Sequence, residues 1–230
     1  MPRRARILLP NTPIHIIQRG NNRQACFYAE QDYQFYLDWL AEYADEHDCA
    51  IHAYVLMTNH VHLLMSSPNI EGPSRLMKRL GQRYVQYINR TYKRSGTLWE
   101  GRFRSCLTRE DEYVLACYRY IELNPVRANM VEHPADYTWS SYRTNAQGEL
   151  NPMITPHGLY TALGTDIDSR QQASRELFRH HLEPGMIDQI RSATNGGFVL
   201  GSEAFKAQIA EALKRQVTPG KAGRPVKSVD

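Results

Sequence analysis

The sequence predicts an α+β fold in which an antiparallel sheet carries helices and a helical extension follows at the C-terminus. Three observations support this class. Short β-rich runs alternate with segments whose apolar residues recur every three or four positions. Polar turn clusters separate these segments. From residue 13 to residue 123 the order is β-α-β-β-α-β-α, and its first six elements match the ferredoxin-like split βαβ arrangement.

Seven elements make up this order. Runs rich in β-branched and aromatic residues predict the strands, and apolar residues at helical spacing predict the helices. Thr58-Asn59 lies between two β-rich runs, so a hairpin is expected there. The last helix is expected to end near Asn124-Pro125, because proline disfavours helical dihedrals in the residue before it. The predicted strands are 13–18, 49–57, 61–65 and 102–107, and the predicted helices are 30–47, 73–90 and 110–123.

Residues 1–142 form the predicted main domain, with its helices on one face of the sheet and the other face free. After residue 142 the chain becomes richer in Gly, Pro, Asn and Thr. Residues 143–218 are therefore predicted to be a connector and a helical extension, with helices at 171–181 and 203–216. The basic tail, residues 219–230, is expected to be disordered.

Basic residues are concentrated in one part of the chain. The 230 residues carry a formal net charge of +4. Residues 75–109 alone contain ten Lys and Arg residues against one acidic residue, Glu100. A solvated helix face usually mixes both signs to avoid self-repulsion. The concentration therefore favours a polyanionic partner, most simply a nucleic acid.

Cysteine spacing and hydropathy exclude several classes of protein. The four cysteines, Cys26, Cys49, Cys106 and Cys117, show no CxxC spacing. This pattern argues against a zinc cluster and against a secreted disulfide scaffold. Only three consecutive apolar residues precede Pro10, and no run approaches the ~20 apolar residues of a membrane span. We therefore expect a soluble intracellular protein with reduced thiols.

Two histidines flank a valine in the stretch VLMTNHVHLLM, residues 55–65. Residues i and i+2 of a strand point to the same face, so His60 and His62 are expected to project together. Such a pair suits two ligands of one cation. Taken alone, the pattern favours satisfied core histidines over a metal site. His15 and His52 are expected to be structural, or to support the ligands, rather than to bind a metal.

A tyrosine and an amide stand four positions apart on the predicted third helix. Tyr120 and Asn124 are expected to share a helical face, which would present a nucleophile and an oxygen ligand together. Tyr113 shares the face of Tyr120, whereas Tyr118 points away. Only Tyr120 has an amide at the fourth position after it. Glu122 lies on a different face and is expected to be solvated.

Four motifs occur in a fixed order between residues 14 and 142. They are RGNNRQ, MTNHVHLLM, LWEGRFRS and YRYIELNPVRANMV. The series resembles the HUH single-tyrosine transposases, and their REP-associated branch in particular. Thr58 stands where that family has proline, which is a change in the turn and not in the histidines.

The resemblance implies a mechanism. His60 and His62, with Asn124 as the third ligand, would hold Mg²⁺ or Mn²⁺, which acts as a Lewis acid on the scissile phosphate. Tyr120 would attack phosphorus and form a 5′-phosphotyrosine while a 3′-hydroxyl leaves. Two alternatives stay open. Asn124 precedes Pro125 and could serve as a helix stop, and Tyr120 could be a packed core residue with a bonded hydroxyl.

The resemblance also implies the substrate, a repetitive extragenic palindrome (REP) that forms an imperfect DNA hairpin next to a short single-stranded guide. Cationic grooves and stacking aromatics suit unpaired strands. Forked polar side chains can read bases, although asparagines after a strand are equally compatible with a turn. The predicted DNA contacts are Arg19, Asn21, Asn22, Arg23, Arg75, Lys78, Arg79, Arg83, Tyr87, Lys93, Arg94, Trp99, Arg102 and Arg104.

Two functions fit these features. The first is a metal-dependent endonuclease and strand transferase acting on single-stranded DNA. The second is a catalytically silent module that binds nucleic-acid hairpins on the same fold. The histidine pair and the Tyr-x-x-x-Asn motif favour the first, since a module that only binds has no use for them. A monomer is favoured, and a cytoplasmic, nucleoid-associated location is expected.

Overall fold

Four strands and nine α-helices are present in the computed structural model, which describes residues 5–179 and 182–220. The strands are β1 (Ile14–Arg19), β2 (Ala50–Met57), β3 (His60–Ser66) and β4 (Arg104–Leu107). The helices are α1 (Glu30–Glu46), α2 (Gly72–Thr91), α3 (Asp111–Glu122), α4 (Asn124–Arg127), α5 (Tyr142–Gln147), α6 (Gly158–Thr161), α7 (Ile167–Arg179), α8 (Pro184–Gly196) and α9 (Glu203–Leu213). None of these helices is long and apolar enough to cross a membrane.

The strands form one antiparallel sheet in the order β2-β3-β1-β4. β3 lies between β1 and β2, the two strands that α1 connects, which is the split βαβ arrangement. The reversal between β2 and β3 falls at Thr58-Asn59, where the hairpin was predicted. The predicted α+β, ferredoxin-like fold is therefore confirmed.

The first face of the sheet packs against α1 and α2. Strand alternation directs Ile16 of β1 and Leu63 of β3 toward these helices. Leu40 of α1 and Leu80 and Tyr84 of α2 meet them, and all five side chains are fully buried. Burial of each aliphatic side chain contributes about 2 kcal/mol, so this layer fixes the sheet and its register.

The second face of the sheet is also covered, which corrects the expectation that it is free. α3 packs against β2 and β3, and α8 packs against β4 and β1. Val55 and Leu64 of the sheet belong to one buried cluster with Ile121 of α3 and Ile190 of α8. The extension thus supplies half of a second helical layer.

Helix α8 was not predicted, although its signals are present in the sequence. Pro184 occupies its first turn, and Gly197 ends it with a left-handed φ of 68°. Ile187, Ile190 and Thr194 lie between them at helical spacing. The two helices that were predicted in the extension correspond to α7 and α9. The last residues of predicted helix 171–181 and residues 221–230 of the predicted tail lie outside the described residues.

Glu122 is buried rather than solvated, because α5 lies beside α3. Its Oε1 accepts hydrogen bonds from Ser141 Oγ at 2.6 Å and Asn145 Nδ2 at 2.7 Å. Ser141 Oγ accepts from the amide of Tyr54, and Asn145 Nδ2 also donates to the carbonyl of His52, which ties both helices to β2. Burial among uncharged groups raises the pKa of Glu122 to about 7.

This pKa gives stability a defined pH dependence. Between the ordinary value of 4.5 and about 7, the unfolded chain has lost a proton that the folded protein keeps. The free energy of unfolding should therefore fall as the pH rises through this window, by up to about 3 kcal/mol. Glu122→Gln removes the titrating group and should flatten this part of the profile, as measured by urea unfolding at pH 5, 6, 7 and 8. Glu211→Gln, at an exposed position on α9, is the control and should keep the wild-type slope. An equal slope in Glu122→Gln would assign the effect to another group.

Candidate active site

Three rings meet on the second face of the sheet. His60 and His62 lie at the start of β3 and pair with Arg19 and Ile17 of β1. Their ring centroids are 5.0 Å apart. Tyr120 of α3 lies above them, with its centroid 5.5 Å from that of His62. The structure therefore brings together the predicted nucleophile and both predicted histidine ligands, which are some sixty residues apart in sequence.

The hydrogen bond to His60 determines which of its nitrogens carries the proton. Asn59 Nδ2 donates to the carbonyl oxygen of Arg23 at 3.0 Å, which turns Asn59 Oδ1 toward the imidazole. His60 Nδ1 lies 2.6 Å from that oxygen. An amide oxygen only accepts, so Nδ1 carries the proton and Nε2 keeps its lone pair.

A longer chain of hydrogen bonds reaches Nδ1 of His62. Thr194 Oγ1 donates to the carbonyl of Ile190 at 2.7 Å. With its proton used, Thr194 Oγ1 accepts from His15 Nδ1 at 2.9 Å. His15 Nε2 then accepts from His62 Nδ1 at 2.8 Å. In this arrangement Nδ1 of His62 carries the proton and Nε2 is free, as in His60.

Both imidazoles are neutral at neutral pH. Burial, together with the charge of Arg19, lowers the pKa of His60 to about 4. Burial lowers the pKa of His62 well below its ordinary range, and the neighbouring His15 and His60 add to the shift. A divalent cation binds the neutral ring through an unprotonated nitrogen. The two histidines therefore fit a metal ion chemically.

Proline divides the Tyr-x-x-x-Asn motif between two helices. α3 ends at Glu122 and Asn124 begins α4, because Pro125 has no N–H to continue the helical hydrogen bonds. The expectation that one helix carries both residues is therefore corrected, whereas the expectation that Tyr120 and Asn124 point the same way stays a prediction. Asn124 Nδ2 is buried and has no hydrogen-bond partner among the described residues. A buried amide of this kind is typical of a position that meets a ligand or an ordered solvent molecule.

No group of three His, Cys, Asp or Glu side chains in the described ranges is arranged to hold a metal ion. His60 and His62 supply two nitrogens, so a cation there requires oxygen ligands from other sources. The side-chain amide of Asn124 and the phosphate of a bound strand are both suitable oxygen donors for Mg²⁺ or Mn²⁺.

Arg127 belongs to the site although it was not predicted to. Its guanidinium carbon lies 4.3 Å from the centroid of the Tyr120 ring, and Nη2 donates to the carbonyl oxygen of Tyr120. Nη1 is buried and has no partner within the described part of the chain. Burial lowers the pKa of Arg127 to about 10, which still leaves it cationic at neutral pH. In a continuous helix Arg127 would lie two turns, about 10 Å, beyond Tyr120, so helical spacing alone does not predict this contact.

The turn after β1 lies beside the histidine hairpin. Its backbone amide at Gly20 donates to the carbonyl of Asn59 at 2.8 Å. A Cβ at Gly20 would come within 2.2 Å of the Gln24 carbonyl oxygen, so the close approach requires glycine. Three predicted DNA contacts belong to this turn, Asn21, Asn22 and Arg23, and a fourth, Arg19, is the last residue of β1.

Arg102 and Arg104 line a cleft next to the same turn, together with Arg19. Arg104 of β4 pairs with Ile17, which in turn pairs with His62. Paired residues share a face, so Arg104 lies on the histidine face two strands away, at about 10 Å. It also forms an ion pair with Glu100 at 3.3 Å.

The predicted DNA contacts on α2 lie in the other helical layer. Arg75, Arg79 and Arg83 form ion pairs with Glu71, Glu46 and Glu42 respectively. All three glutamates lie outside residues 75–109, and two of them belong to α1. The charge count over residues 75–109 therefore overestimated the free positive charge of this helix. Lys78 is exposed on the same helix.

The remaining predicted contacts are on the first-face side of the molecule or in the core. Trp99 is only 5% exposed and stacks against Tyr84, so its position does not support base stacking. The hydroxyl of Tyr87 donates to Asp32 at 2.8 Å. Lys93 is exposed, and Arg94 donates to the hydroxyl of Tyr28 at 2.8 Å.

Two of the weighed alternatives are engaged elsewhere. His52 hydrogen-bonds to the carbonyl of Thr155 and to Ser66, in keeping with the expected structural role. The hydroxyl of Tyr118 accepts a hydrogen bond from the amide of His157.

Comparison with known protein families identifies the family of this chain. Residues 9–124 match the sequence model of the family described as "Transposase IS200 like". The matched range contains both histidines, Tyr120 and Asn124. The chain belongs to the IS200-like transposase family.

Individual proteins agree with the resemblance seen in the four motifs. A Haemophilus influenzae protein described as a REP-associated tyrosine transposase is 27% identical over 110 residues, which cover 44% of this chain and 62% of that protein. The match thus spans less than two thirds of that relative's length. A solved REP-associated tyrosine transposase bound to a REP hairpin aligns with a TM-score of 0.57 and 18% identity, over 69% of this chain and 93% of that one. The second similarity shows that this IS200-like transposase has the same fold as the solved protein.

Proposed function

We propose that this protein cleaves and rejoins single-stranded DNA at REP-type hairpins, with Tyr120 as the nucleophile. The observation that carries the proposal is the state of the histidine pair. His60 Nδ1 meets Asn59 Oδ1 and His62 Nδ1 meets His15 Nε2, beside the ring of Tyr120, in an arrangement that leaves both Nε2 atoms free. A module that only bound hairpins would not need two buried, neutral imidazoles next to a tyrosine. Family membership and the REP-associated relatives support the substrate class.

His60 and His62 would hold Mg²⁺ or Mn²⁺ in this proposal, with Asn124 as the third ligand. Such an ion supplies Lewis-acid polarisation of a phosphate oxygen. The protein's own contribution is to keep both imidazoles neutral and to keep solvent away from the ring of Tyr120. His62 and Tyr120 are only 2% and 6% exposed.

The covalent step takes place at the hydroxyl of Tyr120. The phenol gives its proton to solvent while its oxygen forms a bond to phosphorus. The bond from phosphorus to the 3′ oxygen breaks, and that oxygen takes up a proton and leaves as a 3′-hydroxyl. The resulting 5′-phosphotyrosine is a phosphodiester, so a 3′-hydroxyl can later attack it and restore the strand.

Arg127 is placed to assist this step. Its guanidinium lies against the Tyr120 ring and has an unpartnered Nη1 in the described structure. A guanidinium in this position can donate to phosphate oxygens as charge develops on them. The single-stranded guide would then run past the β1 turn and the cleft of Arg102 and Arg104, on the histidine face.

The nucleophile is tested with labelled single-stranded REP DNA and Mn²⁺, by measuring protein–DNA adducts that resist denaturant. The wild type should form an adduct and Tyr120→Phe should form none, since only the attacking oxygen has been removed. Tyr113→Phe is the matched control, on the same helix and two turns earlier, and should retain the adduct. An undiminished adduct in Tyr120→Phe would contradict the assignment. Absence of an adduct from wild type that still binds the hairpin would favour the silent binding module.

Arg127→Ala should slow single-turnover cleavage on the order of 100-fold, because a donor to the developing charge is lost. Arg127→Lys keeps the charge without the planar fork and should be intermediate. Hairpin affinity, measured in parallel by anisotropy, should change less than the cleavage rate. Equal losses in binding and cleavage would assign Arg127 to substrate binding alone.

The DNA path is tested by the salt dependence of hairpin binding. Arg102→Ala combined with Arg104→Ala should weaken binding and reduce the slope of log K against log salt by about 0.7 per lost contact with single-stranded phosphate. Arg79→Ala combined with Arg83→Ala is the control of equal charge on the opposite layer and should have the smaller effect. A larger effect of the α2 pair would place the DNA along α2, where the sequence pattern also predicts contacts.

A further inference from the structure

The extension reaches the candidate metal site through one side chain. Thr194 of α8 is 2% exposed and lies against His15 of β1, which is 1% exposed. His15 in turn contacts His62 and lies 5.6 Å from Tyr120, centroid to centroid. Thr194 stands seventy residues beyond the end of the family match at residue 124. A residue outside the matched region therefore takes part in the environment of a ligand inside it.

The chain of hydrogen bonds starts at the hydroxyl of Thr194. The hydroxyl of Thr194 donates to the carbonyl of Ile190, which can only accept. Cys106 Sγ lies 3.2 Å from the same hydroxyl oxygen and, as a thiol, can donate to it. Thr194 Oγ1 thus donates once and accepts from both His15 and Cys106. This arrangement places the proton of His15 on Nδ1 and turns an accepting Nε2 toward His62.

We propose that His15 and Thr194 are positioning residues that hold His62 in the tautomer with a free Nε2, so that the extension completes the metal site. This inference rests on the proposed function, since it assigns a role toward the cation that His62 would bind. A neutral imidazole in water exchanges between two tautomers. In the buried site, the tautomer with a proton on Nε2 would leave Nδ1 and His15 Nε2 facing each other as two acceptors. It would also place a proton where the metal must bind.

The two ligands are oriented by different parts of the chain. Asn59, the immediate neighbour of His60, sets the tautomer of that ring. The tautomer of His62 is set by His15, 47 positions before it, and by Thr194, 132 positions after it. Loss of the Thr194 hydroxyl should therefore affect His62 and leave His60 unchanged. This asymmetry separates a specific role in tautomer selection from general destabilisation.

The direct test is the tautomer of His62 in the metal-free protein, read from long-range ¹H–¹⁵N spectra of ¹⁵N-histidine-labelled protein and assigned with His62→Ala. The wild type should show a proton on Nδ1 and none on Nε2. Thr194→Val, which keeps the shape and removes the hydroxyl, should give a mixture of tautomers at His62 and no change at His60. Thr194→Ser should restore the wild-type spectrum. A wild-type His62 with its proton on Nε2 would overturn the proposal without recourse to any variant.

The second readout is the affinity for Mn²⁺ alone, measured by electron paramagnetic resonance. Thr194→Val should bind Mn²⁺ about 10- to 100-fold more weakly, as is usual when a supporting partner of a ligand is removed, and Thr194→Ser should stay near wild type. Thr108→Val is the matched control: Thr108 is also fully buried, but its hydroxyl has no hydrogen-bond partner in the described structure. It should leave both readouts unchanged.

The outcomes distinguish this inference from the proposed function. If the His62 tautomer responds to Thr194→Val while wild-type protein forms no DNA adduct, the positioning role stands and strand cleavage is wrong. If adducts form and the tautomer is the same in Thr194→Val and wild type, cleavage stands and the positioning role is wrong. Equal responses of His60 and His62 would also contradict it, because the hydrogen bonds from Thr194 reach His62 through His15 and do not include His60.

Discussion

Burial of His62 is the constraint on which the rest of the site depends. A buried imidazole must have each N–H partnered, because an unsatisfied donor away from water is costly. His62 is 2% exposed, and the acceptor that meets its Nδ1 is another buried histidine. That histidine needs an acceptor of its own, which Thr194 supplies from α8. The extension, the central strand β1 and the hairpin are thereby joined by one polar chain inside an otherwise apolar layer.

The register of the sheet is what brings this chain together. His15, Ile17 and Arg19 of β1 lie opposite Leu64, His62 and His60 of β3, all on the second face. A slip of one residue would turn every side chain of the slipped strand to the other face. The histidines would then point into the apolar layer under α1 and α2. The packed first face therefore secures the chemistry on the second face, although it contributes no residue to it.

The sequence predicted what depends on local patterns and missed what depends on distant partners. Strand alternation and the Thr58-Asn59 reversal specified the hairpin, and the motif series specified the family. The environment of Glu122 was predicted wrongly, because helical spacing shows which residues share a face and not whether a later segment covers that face. The pairing of Arg79 and Arg83 with glutamates of α1 was missed for the same reason. The tautomer of His62 depends on a threonine in a helix that the sequence pattern did not reveal.

The break at Pro125 gives the Tyr-x-x-x-Asn-Pro-x-Arg segment a geometry that a continuous helix would lack. Without an N–H at Pro125, the chain restarts as the short helix α4. Arg127 at the end of this helix folds back so that its guanidinium covers the ring of Tyr120 and reaches its carbonyl. The proline that was first interpreted as a helix stop therefore also positions a cation against the nucleophile. In this arrangement the break is part of the site, and replacing Pro125 with a helix former would be expected to extend α3 and draw Arg127 away from Tyr120.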